Sequence, residues 1–409
     1  MGLRTSRPFV AALLAMICAT GAAPAIAGPS TRVGFWAGEN PTLCVIPGSD
    51  PLSCPSQKQN FTPDLWKLLK KENGFLNLAV VYGADFGTVD GVTHRDDGLN
   101  LIKEANAQGV PINAWILLPL SENTFANKQN AQYEKAAVAA LIKWETDNNL
   151  QINEIALDLE FPIGWKIFTD ALHGKYPDIN DLKTLNFNPK EQCAAVKTYA
   201  EAISYAHDNG VKIVGSPLPF VPADLDAGNM ALQDMLNLGP VFQGGYDQLF
   251  IQAYRAQGPI DLGSGFVAAQ YKSMQKYFGA AGQVTLGNAG KLQGGYSDVN
   301  NMVADVRMLA GLGATDIPIF DLDGSVDAYG LDGIQKIFDA AKNPMSDAEL
   351  AKATQPSVLG SAALVAFKGL QGVAYNLTPY ATALGGQVQV PNPYPDGCDA
   401  GKIDPLKTQ

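Results

Sequence analysis

The chain has 409 residues, of which 46% are hydrophobic and 17% charged, and 40 acidic against 29 basic residues give a formal net charge of −11. That balance disfavours nucleic acid or an anionic membrane surface as partner, though it names no substrate. Only His94, His173 and His207 are available as imidazole ligands, they are scattered, and no Cys-x-x-Cys occurs, so neither a metal centre nor a cofactor is expected.

The first 27 residues read as a secretory signal peptide. Arg4 and Arg7 precede the apolar run "FVAALLAMICATGAA", and Ala25-Ile26-Ala27 is a small-x-small cleavage site. The run is short for a bilayer span, and Ile17 is too large to precede a lipidated Cys18. No later segment reads as having the length and apolarity of a membrane helix. The expectation is a soluble protein, secreted or periplasmic, with no membrane partner. Four cysteines follow the leader, and an even number in an exported chain favours disulfides. Cys44 and Cys54 flank a Pro/Ser/Gly-rich loop and are expected to pair, which leaves Cys193 for Cys398.

Eight segments read as buried strands: 32–38, 75–83, 111–120, 152–161, 211–220, 246–254, 283–290 and 316–324. They are apolar on both faces, as parallel strands covered by helices must be. Helical periodicity lies between them in "DDGLNLIKEANAQG", "NAQYEKAAVAALIKWETDNNL", "EQCAAVKTYAEAISYAHDNG", "SDVNNMVADVRMLAGLG" and "GLDGIQKIFDAAKN". Eight strands alternating with helices predict an α/β fold, a (β/α)8 TIM barrel over 28–343. An open doubly wound sheet is the alternative, but no Gly-x-Gly-x-x-Gly follows the first strand. "SVLGSAALVAFKGLQGVAYNL" and the Gly/Pro-rich tail after it make 344–409 an extension packed on the barrel rather than a second domain.

Catalytic groups of such barrels gather at the C-terminal ends of the strands. The fourth strand, "EIALDLEFP", is apolar but for Asp158 and Glu160. Residues two apart share a face, about 6.7 Å from one another along the strand. Both acids should therefore point inward, with Glu160 at the mouth. Inward acids are costly unless paired, and no base alternates with them on this strand. A structural ion pair is the plainer reading, and a site of perturbed acids the better one. The other strand ends supply Trp36 and Glu39, Tyr82 and Asp85, Trp115 and Glu122, Gln252, Tyr254 and Arg255, Asn288, and Asp321 and Asp323. Aromatic rings among acids and amides suit a sugar, whose C–H face stacks while its hydroxyls hydrogen-bond.

The segment "NEIALDLE" resembles the fourth-strand motif D-x-x-D-x-D-x-E of family 18 glycoside hydrolases, the chitinases and their relatives. The resemblance puts Glu160 on the general acid and Asp158 on the aspartate that assists the substrate amide. "QAYR" (252–255) is similar to the sixth-strand M-x-Y-D, with Tyr254 on its tyrosine, and "IFDLDGS" (319–325) looks like the eighth-strand segment. Asn153 and Ala156 stand for the first two aspartates, Arg255 for the sixth-strand acid and Phe320 for the usual tryptophan. The resemblance implies a glycosidase in which either the substrate's 2-acetamido group or Asp321 or Asp323 attacks the sugar. A catalytically silent carbohydrate-binding protein on the same barrel is the alternative.

Overall fold

The computed structural model describes residues 30–38, 60–92, 94, 96–162, 187–242, 245–257, 260–287, 289 and 296–377. The expected leader, the tail after 377, and Glu39, Asn288, Cys44, Cys54 and Cys398 lie outside the described residues. Eight parallel strands close into one barrel, each bonded to the next in chain order and the last to the first. They are β1 (Arg32–Ala37), β2 (Phe75–Val81), β3 (Ile112–Leu117), β4 (Glu154–Leu159), β5 (Lys212–Pro217), β6 (Gln248–Gln252), β7 (Gly282–Gly287) and β8 (Asp316–Phe320). The TIM barrel expected from the sequence is thus the fold, with strand ends shifted by a few residues.

The helices begin and end on local chemistry. In α1 (Pro63–Lys71) the Thr62 side chain accepts from the Leu65 N–H and Pro63 opens the helix. The same device, Asn188 with Pro189, starts α4 (Pro189–Asp208). Helix α2 (Asp97–Gln108) ends at Gly109 with φ 73°, a left-handed conformation that suits glycine. Helix α3 is Ala131–Asn148, and α5 (Val221–Ala227) and α6 (Ala231–Met235) follow β5. After β6 come a two-stranded hairpin (Ala256–Gln257, Ile260–Asp261) and α7 (Ser264–Phe278). The set closes with α8 (Val299–Leu312), α9 (Leu322–Lys342), α10 (Asp347–Ala353) and α11 (Val358–Leu377).

Strand alternation sorts the core. Ile155, Leu157 and Leu159 join Leu76, Ile213 and Leu286 in the layer between strands and helices. Ala156 packs inside the barrel with Trp36, Trp115, Val214 and Phe250. Beneath that apolar layer the N-terminal end is polar: Arg32 pairs with Asp316 at 2.6 Å, and the Gln248 amide donates to Asp316 at 3.0 Å. The C-terminal half of the barrel is therefore floored by largely apolar side chains.

The periodic segment expected from Gly330 forms the second part of α9: Gly330, non-helical with φ 63°, separates it from a short helical stretch after Asp321. One expectation needs correction. Helix α11 is long and apolar enough to cross a membrane, contrary to the sequence reading. It is docked on the barrel's helices instead. Phe367 packs edge-on to Phe220 at 4.9 Å and to Phe266 at 6.3 Å, and Lys368 pairs with Asp226 at 3.1 Å. Its outer face exposes Val358, Leu359, Val365 and Val373. Small residues such as Gly360, Ala363 and Ala374 on the docked side weaken the hydrophobic rhythm, which hid the helix from the sequence reading.

Helix α3 carries Glu134 into the core at 1% exposure, and neither of its carboxyl oxygens has a hydrogen-bond partner. Burial pushes its pKa from 4.5 to about 8. The folded chain then holds a proton that the unfolded chain releases above its ordinary value, so this group costs stability as pH rises through that interval towards 8. Glu134→Met should remove the penalty: a gain of roughly 3 kcal/mol at pH 7 and a flatter pH dependence in urea unfolding.

Candidate active site

Asp158 lies one residue before the end of β4, in register with Ser216 of β5. Glu160 follows the strand, its N–H donating to the Ala126 carbonyl at 3.1 Å. Gln252 ends β6, two strands from β4, and its amide nitrogen reaches past β5. It donates to Asp158 Oδ1 at 2.9 Å and to Glu160 Oε1 at 2.7 Å, and stands 3.4 Å from the Ser216 carbonyl. Asp158 is 6% and Gln252 3% exposed, while Glu160 is half-buried. Burial, and then the neighbouring Glu160, hold the Asp158 carboxyl well above the carboxylate range. Burial pushes Glu160 up to about 7 against the lowering effect of its bonds to Gln252 and Asp158.

Tyr254, two residues past Gln252, lies close to both acids. Burial and then Asp158, Glu160 and Asp321 raise its hydroxyl well above its usual range, so it remains a neutral donor. Its ring stacks on Phe320 at 6.1 Å and 26°. The backbone at Gly287 must be bare, because a Cβ there would come within 2.7 Å of the Tyr254 ring. Phe320 meets Trp115 edge-on at 6.4 Å, and Trp115 meets Trp36 at 5.1 Å. An aromatic column thus rises from the barrel interior to the mouth. Trp36 and Trp115, expected from sequence to bind substrate, are 3% and 2% exposed and form the dry floor below the acids.

The remaining strand-end residues are drawn elsewhere. Asp85 accepts from the Val81 N–H at 2.8 Å and the Gly98 N–H at 3.2 Å, which folds its loop onto α2. Tyr82 packs on Phe86 at 5.6 Å. Arg255 makes two 2.8 Å bonds to Asp261, reaches Asp305 at 3.0 Å and Ser264 at 2.9 Å, and lies over the Tyr296 ring. Asp321 caps α9 through the Gly324 N–H at 2.6 Å, and burial raises it to about 6. Asp323 accepts from the Asn60 amide. Cys193 is buried on α4 and disulfide-bonded, with its partner outside the described residues. Among the described residues, no group of three or more His, Cys, Asp or Glu is placed to hold a metal ion.

The bridging role of Gln252 and the seating of Tyr254 on Phe320 were not readable from strand position alone. A carboxyl pair in a dry pocket with neutral donors beside it can give up and take back a proton near neutral pH.

No protein-family model and no curated protein matches the chain. Solved structures similar to it include a class V chitinase from Pseudomonas fluorescens Pf-5, at 13% identity and TM-score 0.45, covering 78% of this chain and 100% of that one. The glycoside hydrolase domain of PgaB (BpsB) from Bordetella bronchiseptica is similar at 11% identity and TM-score 0.42, over 76% of this chain and 98% of that one. The endo-1,4-beta-xylanase XylE of Penicillium canescens stands at 12% identity and TM-score 0.41, with 77% and 95% covered.

The Arg255 contacts predict a structural phenotype. Arg255→Met leaves Asp305, fully buried, without its cation. The cost should be about 3–5 kcal/mol in urea unfolding. Asp305→Asn in the same chain should recover part of it.

Proposed function

We propose that the chain is an exported glycoside hydrolase in which Glu160 is the general acid. The observation that carries this reading is the Asp158–Glu160 pair at the C-terminal end of β4, held by the Gln252 amide above an apolar floor. An acid with a pKa near 7 is protonated over the lower half of the physiological range and can protonate a leaving glycosidic oxygen. The substrate is a poly- or oligosaccharide, with Tyr254 and Gln252 among its nearest polar neighbours. Of the candidate attacking groups, the substrate's own 2-acetamido group fits better. Asp321 spends an oxygen on the start of α9 and Asp323 accepts from the Asn60 amide, so both carboxyls are already engaged. Asp158 and the neutral Tyr254 would orient the acetamido group while its oxygen attacks the anomeric carbon. The leader, the pairs Cys44–Cys54 and Cys193–Cys398, and a barrel at 28–343 with an extension at 344–409 belong to the same proposal.

A sugar-binding protein without turnover is the second reading. It is favoured by the engagement of both carboxyls with Gln252 and by the ion pairs that occupy Arg255.

Release of reducing ends from a panel of polysaccharides separates the two. Glu160→Gln should cut hydrolysis of natural glycans by ~10²–10⁴-fold. It should harm an activated aryl glycoside much less, since that leaving group needs little protonation. Asp158→Asn should impair both substrates. Full activity of Glu160→Gln on a natural polysaccharide would make the acids structural. Activity should fall as pH rises through about 7, where Glu160 loses its proton.

A further inference from the structure

We propose that Gln252 is a positioning residue: its amide nitrogen holds Asp158 and Glu160 as a pair sharing one proton, and so sets the pH range over which Glu160 can donate. The argument is one of counting. An amide NH2 carries two hydrogens. Gln252 Nε2 lies 2.9 Å from Asp158 Oδ1 and 2.7 Å from Glu160 Oε1, so both hydrogens are committed to carboxyl oxygens. The Ser216 carbonyl, at 3.4 Å, receives a weak third share. Two carboxylates within reach of one nitrogen in a dry pocket repel, so one of them takes a proton. Two neutral acids would waste the donor, because charged acceptors bind it more strongly. One proton on two acids is the stable count, and it titrates as a property of the pair.

Among the described residues, the groups that interact with the pair do not supply the missing positive charge. Tyr254 on the β6 side and Glu134 on α3 are neutral or acidic, and Asp321 at the start of α9 acts on Tyr254. Arg255, next in sequence, is turned to Asp261 and Asp305. Among the described residues, the Gln252 amide is therefore the group that stabilises the pair's single negative charge. The consequence for turnover rests on the acid role proposed above for Glu160, whereas the proton count does not.

The full chain, labelled with ¹³C at Asp and Glu carboxyls, can be titrated from about pH 3 to about pH 9. Glu160→Gln and Asp158→Asn assign the two signals. The parent should show two separated steps. Gln252→Met keeps length and removes the donor, so both steps should move up by ~1 pH unit. The alkaline limb of hydrolysis should follow the upper step, which a purely structural role would leave in place. Thermal unfolding checks that the variant is folded. A folded Gln252→Met with unmoved steps overturns the proposal, and so does a parent whose two acids titrate together in the ordinary carboxylate range. If Gln252→Met does not fold, Gln252→Glu carries the same expectation, with a larger upward shift from the added like charge. Two separated steps in a parent that hydrolyses nothing would sink the enzyme reading and leave the shared proton standing.

Discussion

In β4 the two-residue period of an extended chain sends Ile155, Leu157 and Leu159 to the helices and Ala156 and Asp158 into the barrel. Glu160, one step past the strand, continues on the inner side and meets the same amide as Asp158. Everything at the mouth follows from that forced proximity. Two acids in an apolar enclosure are not readily both ionised, and β6, two strands away, supplies a donor to both through Gln252. Burial of the pair, and for Asp158 the neighbouring Glu160, is what raises both pKa values.

The barrel has three inner layers, each with a different physical task. The polar N-terminal layer holds the Arg32–Asp316 ion pair, to which the Gln248 amide donates. The middle layer is hydrocarbon and ring, where Trp115 touches both Trp36 and Phe320. The upper layer carries titratable groups, and the perturbed acids and the tyrosine facing them converge there. Glu134 is the exception. It is a buried acid in the helix layer, raised to about 8, whose cost the rest of the fold offsets.

Much of this was readable from the chain alone, for a clear reason. Parallel strands must be apolar on both faces, so "FLNLAVV" and "INAWIL" announce themselves, and two acids inside such a run stand out against it. Short helices such as α5 and α6 lack the length for periodicity, and α11 is built from small residues that blur it. Strand-end position marks a residue as near the mouth but not where its side chain goes. Asp85 and Arg255 sit at equivalent ends to Tyr254, yet one binds backbone N–H groups and the other binds acids of α8 and the hairpin. Pairwise contacts of that kind are set by the loops, whose course no periodicity encodes.

The Arg255 cluster has a bearing on which side chains the chain can carry just past β6. An acid at 255 would face Asp305 and Asp261 as a third negative charge. Exchange of residue 255 alone would also leave the buried Asp305 without its cation. Positions 255, 261 and 305 therefore act as one electrostatic unit, in which the charge at one position decides which charges the other two can hold.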